Sequence, residues 1–373
     1  MEDKLTTIAY HTYSRALLLQ SQLEAAGIDC FLANINIVQP AVGSGVKLKV
    51  RDKDVEKALR IIKKAIDIAG KGKEKTVKQM HSVRRILMPV DFSDYSLNAC
   101  QYAIGLAAKF KAEIKLFHAY FKPVMEMPTY EGAHMYQANF DKYFEEIEIK
   151  AKRQLNELVH ELNQYIEKKK LGKIRISATL ANGFAEEAII EINEKYKPGI
   201  VIMGTHGIGE QTAGIFGSVT LRLIDRLNLP LLTIPASATF KGIEKIKNIL
   251  YATDFDDTDY AAINKLINLI RPFDMKLHCV HVSIGRKKPW DTVKTDEMRE
   301  YFKEEYPNQK IKCSIMVSDN ILNGLETYMR NNNIGLVTFN THKRNMFTKL
   351  FTPSITRKAL ARFNKPVFIF SSE

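Results

Sequence analysis

A ten-residue stretch occurs twice in this chain. Arg85-Ile86-Leu87-Met88-Pro89-Val90-Asp91-Phe92-Ser93-Asp94 recurs as Asn248-Ile249-Leu250-Tyr251-Ala252-Thr253-Asp254-Phe255-Asp256-Asp257. At the same offset Leu116-Phe117-His118 is echoed by Cys279-Val280-His281. At a shorter offset, Gly204-Thr205-His206 is echoed by Asn340-Thr341-His342, and Asn228-Leu229-Pro230-Leu231 by Asn364-Lys365-Pro366-Val367. Self-similarity that keeps its order is a duplicated domain, so any fold that suits one copy must suit the other. The copies run over residues 83–237 and 246–373, the second shortened in its middle. A small module (residues 1–68) and a basic linker (69–82) precede them.

Within the first copy, apolar runs alternate with segments of helical spacing. The pattern predicts strands at Ile86–Val90, Glu113–His118, Ile174–Leu180, Ile200–Met203 and Leu231–Ile234. It predicts helices near Tyr95–Lys109, Phe140–Lys169, Ala185–Lys195 and Ser218–Leu227. Strands separated by crossover helices belong to an α/β fold, a parallel sheet with helices on both faces. Ligands of such sheets sit beyond the strands' carboxyl ends, where the strand order reverses. Asp91 follows the first strand and Gly204 ends the fourth, so both are expected at one crevice.

The loop from Met203 to Thr220 carries the clearest chemical signal. It joins the apolar run Ile200-Val201-Ile202 to a helical pattern through Val219, Leu223, Ile224 and Leu227. A glycine-rich turn between a strand's carboxyl end and a helix's amino end presents unpaired backbone N–H groups and lets an anion approach closely. Gly204, Gly207 and Gly217, with the Ser218 hydroxyl, would form such a cradle. An ordinary turn using its glycines only for shape is the alternative. No Gly-Lys-Ser/Thr closes the loop, so it is not a Walker A loop. His206 reads as a solvent-facing loop residue, with phosphate contact as the other option. Asp91 reads as a ligand acceptor, as the N-cap of the next helix, or as both. Met203 reads as crevice wall or as plain core.

The spacing Gly204-x2-Gly207-x9-Gly217-Ser218, extended by Val219-Thr220, stands with Pro89-Val90-Asp91 at the first strand's end. Together they resemble the nucleotide-binding members of the universal stress protein (UspA-like) family, and the resemblance covers both copies. It implies a Rossmann-like, five-stranded sheet of order 3-2-1-4-5 in each copy. It also implies ATP, or AMP or ADP, in the first copy's crevice. Carried over residue by residue, it gives the N–H groups of Gly207, Gly217 and Ser218 the phosphates. The Ser218 and Thr220 hydroxyls would add hydrogen bonds, with Thr220 beside any Mg that accompanies ATP. Asp91 would accept from the ribose or the adenine edge, and Pro89, Val90, Ala119 and Met203 would wall the adenine.

The second copy departs from that pattern. It reads Asn340, Lys343, Pro353 and Ser354 at the four motif positions, so all three glycines are gone, although Asp254 and Ser354 remain. Pro353 has no N–H, and a side chain at position 343 crowds a phosphate. The second copy is therefore expected to be a non-binding structural partner, since family members pair through their last strands. Neither copy shows a Walker lysine, an acidic metal pair or a kinase-type loop. The expectation is a nucleotide-binding stress-response regulator and not an enzyme. A nucleotide-independent scaffold and a slow ATPase are the alternatives.

The N-terminal module reads as β-α-β-β-α, a small α+β unit: strand Thr7–Tyr10, helix Ser14–Ala26 stopped by Gly27, strands Ile28–Ala33 and Val46–Val50, and a last helix capped by Asp52 or Asp54. Ala25-Ala26-Gly27-Ile28, Asn34, Leu48-Lys49-Val50 and Asp54-Val55-Glu56-Lys57-Ala58 resemble a small family of prokaryotic signal-transducing proteins. That resemblance implies an unknown protein or small-ligand partner. The formal charge of +13 clusters at Lys63, Lys64, Lys71, Lys73, Lys75, Lys78, Arg84 and Arg85 without interleaved aromatics, which fits a solvated linker better than a nucleic-acid surface. No run of about 18 apolar residues is present, so no membrane span is expected. Without a secretory pattern, and with four scattered cysteines read as reduced thiols, the expected location is the cytoplasm. A homodimer in addition to pairing of the copies stays open.

Overall fold

The computed structural model describes residues 5–11, 19–21, 23–33, 46–58, 60–61, 83–122, 133–206, 217–235, 237–238, 242–255, 257–340 and 364–370. The chain divides into two units, Met1–His81 and Ser82–Glu373. In the smaller unit β1 (Leu5–His11), β2 (Cys30–Ala33) and β3 (Val46–Arg51) form an antiparallel sheet of order β1-β3-β2. Alternation of Val, Leu and Val with two lysines along β3 turns Leu48 and Val50 inward, against Leu19, Leu23, Ile28 and Ala58. Gly27 takes φ +74°, the left-handed backbone that ends a helical turn. Residues 14–18 and 22 of the expected first helix and the whole basic linker lie outside the described residues.

The larger unit is built on strands buried on both faces. In β4 (Arg85–Pro89) the consecutive residues Ile86, Leu87 and Met88 are all fully buried, as a strand between two helical layers requires. Each such side chain contributes roughly 1.5–3 kcal/mol of burial energy. The first repeat continues with α1 (Asp94–Phe110), β5 (Glu113–Tyr120), α2 (Ala133–Lys168), β6 (Ile176–Asn182), α3 (Ala185–Tyr196), β7 (Ile200–Gly204), α4 (Ser218–Arg226) and β8 (Leu231–Ile234). The second contains β9 (Asn248–Ala252), α5 (Asp257–Ile270), β10 (Lys276–Ile284), α6 (Pro289–Glu305), β11 (Ile311–Ser318), α7 (Ile321–Asn331), β12 (Leu336–Asn340) and β13 (Val367–Phe370). Ile86 and Met88 face α1 and α2 in one core, whereas Leu87 joins Ile189, Leu223 and Ile224 of α3 and α4 in the other.

All ten strands of these repeats form one sheet, ordered β11-β10-β9-β12-β13-β8-β7-β4-β5-β6. Pairing is parallel within each repeat and antiparallel at the seam, where Val367, Phe368 and Ile369 of β13 face Thr233, Leu232 and Leu231 of β8. The buried Thr233 hydroxyl donates to the Val367 carbonyl across this seam at 3.2 Å. In the first repeat the chain leaves β4 toward β5 on one side, while β7 and β8 lie on the other. The carboxyl ends of β4 and β7 therefore flank the place where a crevice opens.

Candidate functional site

At the end of β4 the chain turns sharply through Phe92, a non-glycine residue at φ 64°. Asp91 fixes this turn. Its Oδ1 accepts from the Ser93 N–H (3.1 Å) and the Ser93 hydroxyl (2.6 Å). Ser93, not Asp91, is the N-cap of α1, and its oxygen accepts from the Ser96 N–H at 3.3 Å. The cap needs an oxygen within reach of the third helical N–H, and Asp91 lies too early in the chain to supply it. His118, at the end of β5, sits against the Phe92 ring with centroids 4.6 Å apart, and its Nδ1 is 2.7 Å from the Val90 carbonyl. A carbonyl only accepts, so the proton is on Nδ1.

Gly204 ends β7 where α1 begins. A Cβ built there would lie 2.6 Å from Tyr95 Cβ and 2.8 Å from the Tyr95 carbonyl carbon. Helix packing alone thus demands this glycine, and a role in a phosphate cradle is not needed to explain it. The Thr220 hydroxyl donates to the Gly204 carbonyl at 3.3 Å, which joins the first turn of α4 to β7. The Gly217 N–H donates to the Thr205 carbonyl at 2.6 Å and so closes the base of the loop. That amide is turned inward, contrary to the expectation that it faces a phosphate. The amides of Ser218, Val219 and Thr220 precede the first intrahelical bond of α4, Leu221 N–H to Gly217 O at 3.0 Å, and form the helix's amino end. Gly207 and the rest of residues 207–216 lie outside the described residues.

His206 is half-buried, not solvent-facing. Its ring packs on Tyr95, with centroids 5.2 Å apart, and Nδ1 lies 3.2 Å from the Thr205 hydroxyl oxygen. Nε2 is shielded from solvent and has no hydrogen-bond partner among the described residues.

These elements enclose a cavity of about 310 Å3, at the lower end of the roughly 300–1,000 Å3 usual for small-molecule sites. Of the residues expected from sequence, Pro89, Val90, Asp91, Ala119, Met203, Gly204, His206, Val219 and Thr220 line it. Gly217 and Ser218 adjoin it at the start of α4. Ser96, Phe117, His118, Ala185 and Ile189 also line it and were not anticipated. Phe117 and His118 belong to a segment echoed between the repeats, and that echo was the available signal. The wall formed by α3 is held in place by Glu186, a buried carboxylate that accepts from Arg226 (2.6 Å) and Arg222 (3.0 Å) of α4. The Arg226 hydrogen bond foremost, against the opposing effect of burial, holds this carboxyl below its ordinary range. Among the described residues no group of three or more His, Cys, Asp or Glu is placed to hold a metal ion. No described helix is long and apolar enough to cross a membrane.

The family model described as "Universal stress protein family" matches residues 82–235 and 245–371. The chain belongs to the universal stress protein family. A universal stress protein of Methanocaldococcus jannaschii is 27% identical over 152 residues, which cover 40% of this chain and 81% of that protein. The crystal structure of a universal stress protein from Archaeoglobus fulgidus aligns over 78% of this chain and 97% of its own length, with TM-score 0.58 and 18% identity, which shows a shared fold. A third relative, a universal stress protein solved in complex with cAMP, is 21% identical and covers 40% of this chain and 96% of its own, with TM-score 0.28.

The second repeat of this universal stress protein repeats the turn and changes its chemistry. Phe255 takes φ 66°, His281 Nδ1 lies 3.0 Å from the Thr253 carbonyl, and the two rings are 4.5 Å apart. Where the first repeat has Met88, Val90 and Ser96, the second has Tyr251, Thr253 and Asp259. The buried Asp259 carboxylate accepts from the Tyr251 hydroxyl at 2.7 Å and the Thr253 hydroxyl at 2.6 Å. Burial foremost, then the Asp259 charge, holds the Tyr251 phenol well above its ordinary pKa, so it remains a donor. Of the four motif positions in the second repeat, only Asn340 is among the described residues, at the end of β12.

Proposed function

We propose that the first repeat holds an adenine nucleotide, ATP or its di- or monophosphate, and that the chain acts as a nucleotide-responsive regulator without dedicated catalysis. One observation carries the reading. An apolar-walled cavity opens at the carboxyl ends of β4 and β7 directly onto the amino end of α4. Its Pro89, Val90, Ala119 and Met203 surfaces suit a flat base, Asp91 supplies an acceptor for a ribose or base edge, and the start of α4 suits phosphate. That one member of the family was solved in complex with cAMP is a property of that protein. The support here comes from this chain's own crevice.

The second repeat serves as structural partner in this reading. Buried Asp259 in place of Ser96 adds negative charge to the crevice floor, which disfavours a polyphosphate. The small N-terminal unit is proposed to engage a protein or small ligand. One observation favours the scaffold alternative instead: the Gly217 amide is already used within the protein. Calorimetry with ATP, ADP and AMP decides between them. Saturation at one nucleotide per chain, without turnover, is the expected result. No affinity for any of the three favours the scaffold, two equivalent sites overturn the role given to the second repeat, and steady hydrolysis overturns the non-enzymatic reading.

A further inference from the structure

Strands β10 and β11 run parallel in a register that sets Cys279 directly opposite Cys313. Opposed residues of a parallel pair turn their side chains to one face of the sheet, and both thiols enter one core with Met298 and Phe302 of α6. There they hydrogen-bond to each other. Neighbouring strands lie about 4.8 Å apart, within the roughly 4.4–6.8 Å between Cα atoms that a disulfide spans. Closing the bond draws the two Cβ atoms together, and β11 is placed to yield. It stands at the end of the ten-strand order, and among the described residues it pairs with β10 alone.

The two thiols are not equivalent. Cys279 lies on an interior strand and is 1% exposed, whereas Cys313, on the outer strand, is 7% exposed. Arg299 of α6 lies over the outer strand and donates from Nη2 to the Cys313 carbonyl at 3.4 Å. The hydrogen bond from Cys279 foremost, then, against the effect of burial, the Arg299 charge, hold the Cys313 thiol below its ordinary pKa. The same hydrogen bond, then burial, holds Cys279 well above it. Burial foremost also raises Cys30 on β2 to about 11 and Cys100 on α1 to about 12. Reactivity follows the thiolate, so Cys313 is the attacking sulfur of the four.

We infer that Cys279 and Cys313 are a thiol pair that hydrogen peroxide converts reversibly into a disulfide between β10 and β11, a modification site independent of any nucleotide in the first repeat. The Cys313 thiolate attacks one peroxide oxygen, the O–O bond breaks, and the departing hydroxide takes up a proton to leave as water. The Cys279 sulfur then attacks the resulting sulfenic sulfur, and its proton leaves with the hydroxyl as a second water. Two thiols are thereby oxidised by two electrons and one peroxide is reduced to two waters. A dithiol restores the pair by exchange.

The test treats the full chain with hydrogen peroxide in native buffer, alkylates the remaining thiols in urea, and maps the peptides by mass spectrometry. The expected product joins the Cys279 and Cys313 peptides, leaves Cys30 and Cys100 alkylated, and disappears with dithiothreitol. Loss of the Cys313 thiol is expected to be at least about tenfold faster than loss of Cys30 or Cys100. In Cys279→Ala, Cys313 is expected to stop at the sulfenic acid, which dimedone traps, and in Cys313→Ala the Cys279 thiol is expected to persist. Four alkylated cysteines after treatment of the wild-type chain overturn the inference. So does a bond that forms only when urea is present during oxidation, or one that involves Cys30 or Cys100. Faster reaction at Cys279 than at Cys313 overturns the assigned order of attack.

Discussion

Gly204 has no room for a side chain, because the nearest atoms are backbone and Cβ of Tyr95 and cannot swing aside. Gly204→Ala is therefore expected to cost about 1–3 kcal/mol, the usual range for overpacking, measured as a lower urea midpoint with an unchanged slope. His278 gives a second single-residue prediction. It is 3% exposed, with Nδ1 3.0 Å from the Tyr328 hydroxyl and Nε2 3.2 Å from Asn248 Oδ1. Burial first, then the charges of Lys276 and Lys312, draws its pKa down to about 4 from 6.5. Between these values the unfolded chain binds the proton and the folded chain does not, so stability falls as pH drops through the window and levels off below it. Urea melts at about pH 7.5 and about pH 5 should show the loss, and His278→Gln should remove part of the difference between them.

At the scale of elements, the Glu186 clasp ties the cavity wall to the helix that begins at its mouth. Arg222 and Arg226 stand one turn apart on α4 and close on one carboxylate in the first turn of α3. Both arginines are largely exposed, so screening limits the effect: Glu186→Gln is expected to cost about 1 kcal/mol in a urea melt. Because Ala185 and Ile189 belong to that wall, nucleotide affinity should fall with it. The elements themselves were legible, since buried parallel strands read as continuous apolar runs, and β8 (Leu231–Ile234) spans the predicted residues. Helix α2 begins at Ala133, earlier than the start near Phe140 expected from sequence. The site was half legible. Glycine at 204 was plain, but its cause, Tyr95, is distant in sequence. Phe117 and Ala119 lie two apart on one face of β5, so naming one invited the other. The packing of His206 on Tyr95 left no local trace, because the two residues are distant in sequence.

For the molecule as a whole, the seam between β8 and β13 makes two repeats one sheet. It buries Leu231, Leu232, Val367, Phe368 and Ile369 from both sides. Neither repeat can open there without exposing the other, so the central strands β4 and β9 are expected to share one opening free energy in native-state hydrogen exchange. Two distinct energies would mean that the seam does not couple them. Thr233→Val removes the buried hydroxyl bond across the seam and should lower that shared energy by about 1 kcal/mol.

The same seam has a consequence for recognition. Strands run one way in the first repeat and the opposite way in the second, so the two rims where crevices form point away from each other. A macromolecule that approaches the first repeat's crevice rim meets, beside it, the entry ends of the other repeat's strands. Joining the repeats this way puts their crevices on opposite rims, so the chemistry of either rim can change without disturbing what docks at the other.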